Sequence, residues 1–179
     1  ATRTENRKNG VLRGFGEYPG IEVLETVYGQ WNQEIAESVM SDVITKYPVI
    51  DAFWAGGSMA MGALRAFENA KRMLPVCSGD PTKEFLVYAK KKLDEGVDFE
   101  FCCPGNPPGI GGTALALGIY LANGHELKMA FPKNTYYYPV KTFVTPDNLK
   151  RYLDIMKDEP EAAWISEYAS DAEISAMFK

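Results

Sequence analysis

Stretches typical of β-strands alternate with stretches typical of helices along nearly the whole chain, and this alternation restricts the possible folds most. Apolar residues in the helical stretches recur every three or four positions, which indicates helices with one buried face. Short runs rich in β-branched and aromatic residues separate them and indicate strands. The predicted strands cover residues 21–28, 50–55, 74–79, 97–103 and 135–144. The alternation predicts an α/β fold with an open, mostly parallel sheet and helices on both faces.

Helices are predicted between these strands and after the last one. They begin near Glu34, Ala60, Pro81 and Gly109, and after the sequence TPDN at 145–148. At 179 residues the chain is long enough for one well-buried α/β domain. We therefore predict an α/β lobe over residues 1–144 and a helical C-terminal tail over residues 145–179. The tail side chains predicted to dock on the rest are Trp164, Ile165, Tyr168, Ile174 and Phe178.

Composition excludes several function classes. A net charge of -5 and a pI near 5.0 argue against nucleic acid as a partner, because neutralising phosphates requires a basic face. Neither the single histidine nor the three cysteines have a spacing typical of a metal site, so we predict no metal or cofactor. The sequence does not decide whether Cys77 forms a disulfide with Cys102 or with Cys103. The sequence shows no secretory signal and no apolar run long enough to span a membrane.

The ends of the predicted strands carry the candidate binding groups. In parallel sheets, ligands bind beyond the carboxyl ends of the strands. That rule selects the loops at 28–32, 55–58, 78–80 and 102–106. The groups that they offer come from Trp31, Asn32, Gly56, Gly57, Ser58, Asp80 and Cys103. An indole, amides, a hydroxyl and one carboxylate are typical of a site for a neutral, hydroxyl-rich molecule, and they do not form an obvious catalytic site.

The Gly56-Gly57-Ser58 turn has two interpretations. It is close to the G-x-S-x-G nucleophile elbow, and Ser58, Asp80 and His125 follow the hydrolase order. Alternatively, Ser58 caps the following helix while the glycines permit a tight turn. We favour the second interpretation, because His125 follows a helix where exposure is expected and because the chain has little room for strands before the elbow. A serine hydrolase is kept only as a remote alternative.

Several of the candidate residues also have purely structural interpretations. Trp31 fits either the core or stacking on the apolar face of a sugar. Asp80 fits either a helix cap or a charge-assisted hydrogen bond to ligand hydroxyls. Phe53 and Trp54 stand side by side in a predicted strand, and we expect both in the core.

The order of segments from about Arg13 to about Gly124, including FWAGGSMAMGALRAFENA and VCSGDPT, resembles a known family. It is similar to the type I periplasmic sugar-binding proteins of ABC transporters, the group that contains the ribose-binding protein. It is equally similar to the effector-binding domains of lac-repressor-type regulators. The family has two α/β lobes that close on a ligand, and this chain resembles only the C-terminal lobe, beginning with its first helix. The resemblance implies that residues 107–137 pack toward a missing N-terminal lobe.

The resemblance also implies roles for individual residues. Trp31 falls where the family places an aromatic ring against the sugar, and Asp80 falls on an aspartate that binds sugar hydroxyls. A polar cleft residue is expected near Cys103. Gly56-Gly57 replaces the Asn-Asp pair of the family, and Val11 replaces a common arginine, so Arg7 or Asn9 is expected to supply a replacement group.

We therefore predict the C-terminal lobe of a solute-binding protein that binds a carbohydrate or related small polar solute without catalysis. The implied partners are the solute, the missing N-terminal lobe and a membrane permease. The implied location is periplasmic or extracellular, with a lipid anchor possible in a longer chain. The alternative is the effector domain of a transcription regulator, which an upstream DNA-binding motif would identify.

Overall fold

A computed structural model describes residues 2–105, 109–137 and 140–179. The chain forms two compact units, Ala1–Pro75 and Val76–Lys179. The first unit contains the helices α1 (Thr2–Gly16), α2 (Gln33–Lys46) and α3 (Met59–Asn69) and the strand β1 (Ala52–Trp54). Across the described ranges, no helix has the length and apolar character needed to cross a membrane.

The second unit mixes short strands with helices. Its strands are β2 (Val76–Ser78), β3 (Cys103–Pro104) and β4 (Phe143–Val144). Its helices are α4 (Lys83–Asp94), α5 (Ile110–Ala122), α6 (Leu149–Ile155) and α7 (Asp171–Ser175), with 3-10 turns at Pro132–Asn134 and Pro146–Asn148. The predicted α/β fold class is confirmed, and so are the predicted helices.

Packing of α2 against α3 organises the first unit. A Cβ on Gly62 would lie only 2.0 Å from the carbonyl oxygen of Gln33, so the glycine lets the two helix backbones touch. Arg65 of α3 donates to Glu37 and Gln33 of α2, each at 2.9 Å. The buried face of α3 carries Ala60, Met61, Ala63, Leu64, Ala66 and Phe67. This face agrees with the apolar period of the sequence.

An aromatic cluster forms the core of the second unit. Phe85 of α4 makes an edge contact with Phe101 at 5.3 Å between ring centroids and a tilted contact with Phe99 at 6.3 Å. Cys77 of β2 forms a parallel bridge with Phe101, and Cys77 N–H donates to the Glu100 carbonyl at 3.1 Å. β3 pairs with β4 in the antiparallel direction, with Cys103 opposite Val144. The second unit therefore contains both a parallel bridge and an antiparallel strand pair.

The C-terminal segment is part of the second unit. Trp164 forms an antiparallel bridge with Thr82, and Ala169 N–H donates to the Thr113 hydroxyl at 2.9 Å. Ile165, Ile174 and Phe178 are buried, as predicted. Tyr168 is exposed, so its predicted docking is wrong.

The strand predictions are too long. Residues 21–28 form no strand, and their side chains are exposed. The contacts to this segment include a hydrogen bond from the Tyr47 hydroxyl to the Leu24 carbonyl, at 3.1 Å, and the Lys46–Glu25 ion pair, at 2.9 Å. Lys8 Nζ also donates to the Tyr28 hydroxyl at 3.2 Å. The predicted strand 97–103 overlaps β3 only at Cys103, with Phe101 in a separate bridge. The predicted strand 135–144 overlaps β4 at Phe143 and Val144, and its residues 138–139 lie outside the described residues. A strand requires a hydrogen-bonded neighbour, which residue type does not supply.

Candidate functional site

A tight turn presents Trp31 at the surface of the first unit. The Asn32 N–H donates to the Gly29 carbonyl at 2.9 Å, and both central residues have positive φ, 51° at Gln30 and 60° at Trp31. This is the pattern of a type I′ turn. A Cβ on Gly29 would lie 2.8 Å from the Met59 sulfur and 2.9 Å from the Ala36 Cβ, so the turn sits directly on α2 and α3.

The turn adopts its shape at an energetic cost. Gln30 and Trp31 both carry side chains, and each left-handed residue of this kind costs about 1–3 kcal/mol. Such strain persists where surrounding structure imposes it, and it is concentrated at functional sites. The Trp31 side chain is 44% exposed, so the strained turn holds a large aromatic ring at the surface.

Three side chains of the first unit converge on Gly56. A Cβ placed on this glycine would lie 3.3 Å from Arg7 Nη1, 3.4 Å from Trp54 Cη2 and 3.7 Å from Trp31 Cη2. The Arg7 guanidinium carbon also lies 5.4 Å from the Trp31 ring centroid, which is cation–π range. Gly56 follows β1, so the structure brings Trp31 and Gly56 together at the carboxyl end of this strand.

The other predicted residues of the first unit have different environments. Gly57 is buried with φ +67°, a conformation that favours glycine. Ser58 occupies the N-cap position of α3 but makes no side-chain capping hydrogen bond, so that part of its prediction is wrong. The Asn32 side-chain oxygen accepts from Ile35 N–H at 2.9 Å and caps α2. That oxygen therefore has a structural role.

Arg7, rather than Asn9, is the α1 residue that contacts the Trp31 turn. The two positions are two residues apart and project about 200° apart around the helix. Arg7 is half-buried and contacts Trp31, whereas Asn9 is exposed. The role of Asn9 in ligand binding stays a prediction.

Asp80 and Cys103 come together in the second unit, after β2 and in β3. Asp80 is 7% exposed, and Cys103 is fully buried. Burial raises the pKa of the Cys103 thiol to about 12, the charges of Cys102 and Asp80 add to the effect, and a backbone hydrogen bond from Gly79 opposes it. Cys103 is thus a neutral thiol beside a buried acidic residue.

The cap of α4 is not Asp80. The Thr82 hydroxyl accepts from Phe85 N–H at 3.2 Å and occupies the N-cap position. The alternative in which Asp80 caps this helix is therefore wrong. Asn106, in the same loop cluster as Cys103, lies outside the described residues.

The structure places Trp54 differently from the sequence prediction, which expected both Phe53 and Trp54 in the core. Phe53 does enter the core, where it stacks on Phe67 at 6.1 Å between centroids. Trp54 does not join that cluster, and the edge of its ring lies close to Gly56 instead. Strand alternation could have predicted this placement of Trp54, because successive side chains of a strand point to opposite faces.

The remaining candidate chemistry has structural partners. The His125 ring packs on Tyr120 at 5.1 Å and Phe178 at 6.2 Å. All three cysteines are free thiols. Within the described part of the chain, no group of three or more His, Cys, Asp or Glu residues is arranged to hold a metal ion.

Comparison with protein families gives a match over most of the chain. The family described as periplasmic binding protein domain matches residues 1–126. A search of curated proteins finds no match.

Several of the solved structures similar to this chain are solute-binding proteins. An ABC transporter solute-binding protein from Thermobispora bispora has a TM-score of 0.76 at 16% identity, covering 96% of this chain and 49% of that one. A periplasmic solute-binding protein from Actinobacillus succinogenes with bound D-allose has a TM-score of 0.61 at 25% identity, covering 83% and 50%. One from Bacillus halodurans with bound myo-inositol has a TM-score of 0.60 at 22% identity, covering 82% and 48%. The chain spans about half the length of each.

Proposed function

The chain belongs to the periplasmic binding protein family, and on this basis we propose that it is one lobe of the solute-binding component of an ABC transporter. Its ligand is a carbohydrate or a related small polar solute. The observation that carries this proposal is the exposed Trp31 ring, held by a strained turn beside Gly56. Structural relatives with bound D-allose and myo-inositol support this ligand class.

The two units offer different kinds of recognition, stacking in the first and charge-assisted hydrogen bonding in the second. The C–H face of a sugar or cyclitol packs well on an indole, and Trp31 offers such a surface. A buried carboxylate such as Asp80 accepts hydrogen bonds from ligand hydroxyls, and bonds to a charged acceptor are the stronger ones. Ser58, Gly57, Asn32, Asn9 and Cys103 remain proposed secondary contacts. The proposed role is binding without catalysis.

The proposed partners follow from the family and from the exposed surface of α5. The chain spans about half the length of its structural relatives. Apolar side chains on α5 are exposed, namely Ile110, Leu115, Ile119 and Leu121. We propose that residues 109–137 pack toward an N-terminal lobe and that the two-lobed protein delivers solute to a membrane permease. Residues 107 and 108 of the predicted segment lie outside the described residues. A periplasmic or extracellular location, with or without a lipid anchor, is proposed on the same grounds.

A thermal-shift titration with D-allose and myo-inositol tests the proposed function. At a concentration of about ten times Kd, a single-site ligand stabilises the chain by about 1.4 kcal/mol. We expect such a shift in melting temperature for at least one probe, and we expect its loss in Trp31→Ala and in Asp80→Ala. Tyr168→Ala, which removes another exposed aromatic ring, is the control and should keep the shift. A shift that persists in both variants would contradict the proposed ligand-binding roles of Trp31 and Asp80.

A further inference from the structure

The surroundings of Gly56 point to a second aromatic contact for the ligand. Trp54 and Trp31 reach toward the same point with the same ring atom, Cη2, at 3.4 Å and 3.7 Å from the position of a Gly56 Cβ. Both Cη2 atoms therefore lie close to the same point above the glycine. Of these two tryptophans, the sequence resemblance assigns a ligand role only to Trp31.

The strand geometry explains why Trp54 is directed there. β1 spans three residues, and the side chain before Trp54, Phe53, packs into the core cluster with Phe67 and Ile44. Because side chains alternate along a strand, Trp54 must project away from that cluster. Its ring is half-buried, so part of a large aromatic surface stays accessible next to Trp31.

We propose that Trp54 is a second ligand-binding aromatic residue and that Gly56 determines specificity by leaving room for both indole edges. This inference rests on the proposed function. Two adjacent indoles form a broad apolar surface that matches the continuous C–H face of a cyclic polyol. An acyclic polyol of the same size must lose chain conformers to present such a face, so it binds more weakly. Arg7 is a positioning residue here, because its charge lies over the Trp31 ring.

Gly56 is the most sensitive point of this arrangement. A methyl group at position 56 would lie within 3.4 Å of both Arg7 Nη1 and Trp54 Cη2, tighter than normal contact. The Arg7 end can move, since it is the tip of a flexible side chain, whereas the Trp54 ring on β1 has less freedom. Gly56→Ala should therefore separate the two indole edges while the fold remains intact.

Tryptophan fluorescence of single variants tests the inference. The chain has three tryptophans, Trp31, Trp54 and Trp164, and the third lies in the other unit next to Thr82. With myo-inositol as the probe, we expect the fluorescence response of the wild-type chain to persist in Trp164→Phe. We expect Trp54→Ala and Gly56→Ala each to raise Kd by about tenfold, the size expected for an aromatic contact of 1.4 kcal/mol. Gly14→Ala on α1, which has no neighbouring atom within 4 Å, is the matched glycine control.

A comparison with mannitol, an acyclic polyol, tests the specificity. The wild-type chain should prefer myo-inositol, and Trp54→Ala should lose most of that preference. An unchanged Kd for myo-inositol in Trp54→Ala and Gly56→Ala would overturn the inference while the proposed function stands. If Trp54→Ala does not fold, Gly56→Ala decides by the same criterion. A wild-type chain that binds neither myo-inositol nor D-allose would overturn the proposed function itself.

Discussion

At the residue scale, the three cysteines differ in environment although they lie close in the fold. Cys77 and Cys103 are buried, and Cys102 is exposed. Burial raises the pKa of Cys77 and raises that of Cys103 to about 12, so both stay protonated thiols in the folded chain. The reactive species of a cysteine is the thiolate. Iodoacetamide should therefore modify Cys102 alone in the native chain and all three in urea, as measured by peptide mass spectrometry.

The raised pKa of Cys103 makes the stability of the folded state depend on pH in the alkaline range. The folded pKa of Cys103 is about 12 and the ordinary value is 9.0, so the folded state holds the proton more tightly. The stabilising effect is complete below pH 9 and is lost as pH rises from 9 toward 12. In Cys103→Ala this part of the alkaline destabilisation should be absent. Native Cys103 that is alkylated as fast as Cys102, or found in a disulfide, would contradict this account.

Cap residues show how far single positions could be predicted. A residue type can indicate a cap, and Thr82 and Asn32 do cap helices. The choice between Asp80 and Thr82, and the absence of a capping bond from Ser58, depend on backbone angles of the loop. At Ser58 these are φ -72° and ψ 0°, which are not the extended values typical of an N-cap. Those angles result from tertiary packing, so the sequence alone left them open.

At the element scale, the crossing of α2 and α3 depends on one glycine. A Cβ on Gly62 would lie 2.0 Å from the Gln33 carbonyl oxygen and 3.0 Å from the Glu37 nitrogen, and both are backbone atoms that cannot move aside. Gly62→Ala should therefore lower the free energy of unfolding by at least about 3 kcal/mol, the upper range for overpacking. Urea denaturation followed by circular dichroism measures the loss.

A substitution at a second helical glycine, Gly14, separates the effect of steric clash from that of helix propensity. Gly14 lies in α1 with no atom within 4 Å of an added Cβ. Gly14→Ala should stabilise the chain by up to about 1 kcal/mol, because alanine is the better helix former. If Gly62→Ala were as harmless as Gly14→Ala, the close contact of α2 and α3 would be wrong.

Helices could be predicted far better than strands. The apolar period of α3 identified four of its buried residues without any tertiary information: Ala60, Ala63, Leu64 and Phe67. Residues 21–28 have strong strand composition, yet they form no strand. A helix satisfies its backbone within one segment, whereas a strand depends on a neighbour. The Trp54 contact was missed for a similar reason, since the face that a strand residue occupies depends on which neighbour enters the core.

At the scale of the whole molecule, α5 has two apolar faces with different surroundings. Ala116, Leu117 and Tyr120 pack against the C-terminal cluster of Ala169, Ile174 and Phe178. Leu115 and Ile119 lie elsewhere on the helix and are exposed. The resemblance predicted this second face, because in two-lobed proteins the corresponding segment packs toward the other lobe. Composition alone could not separate the two faces, since the helix is apolar nearly all round.

A pair of leucine substitutions on α5 tests whether the exposed face belongs to a lobe interface. Leu117→Ala should lower the free energy of unfolding by about 2 kcal/mol, because it opens a cavity against the C-terminal cluster. Leu115, 66% exposed, should tolerate Leu115→Gln within about 0.5 kcal/mol in urea denaturation of this chain. In a chain extended to the length of the two-lobed relatives, Leu115→Gln should become destabilising, since it then places an amide in an apolar interface. Equal costs for both substitutions in the present chain would mean that the Leu115 face is already covered, and a harmless Leu115→Gln in the extended chain would contradict the proposed lobe contact.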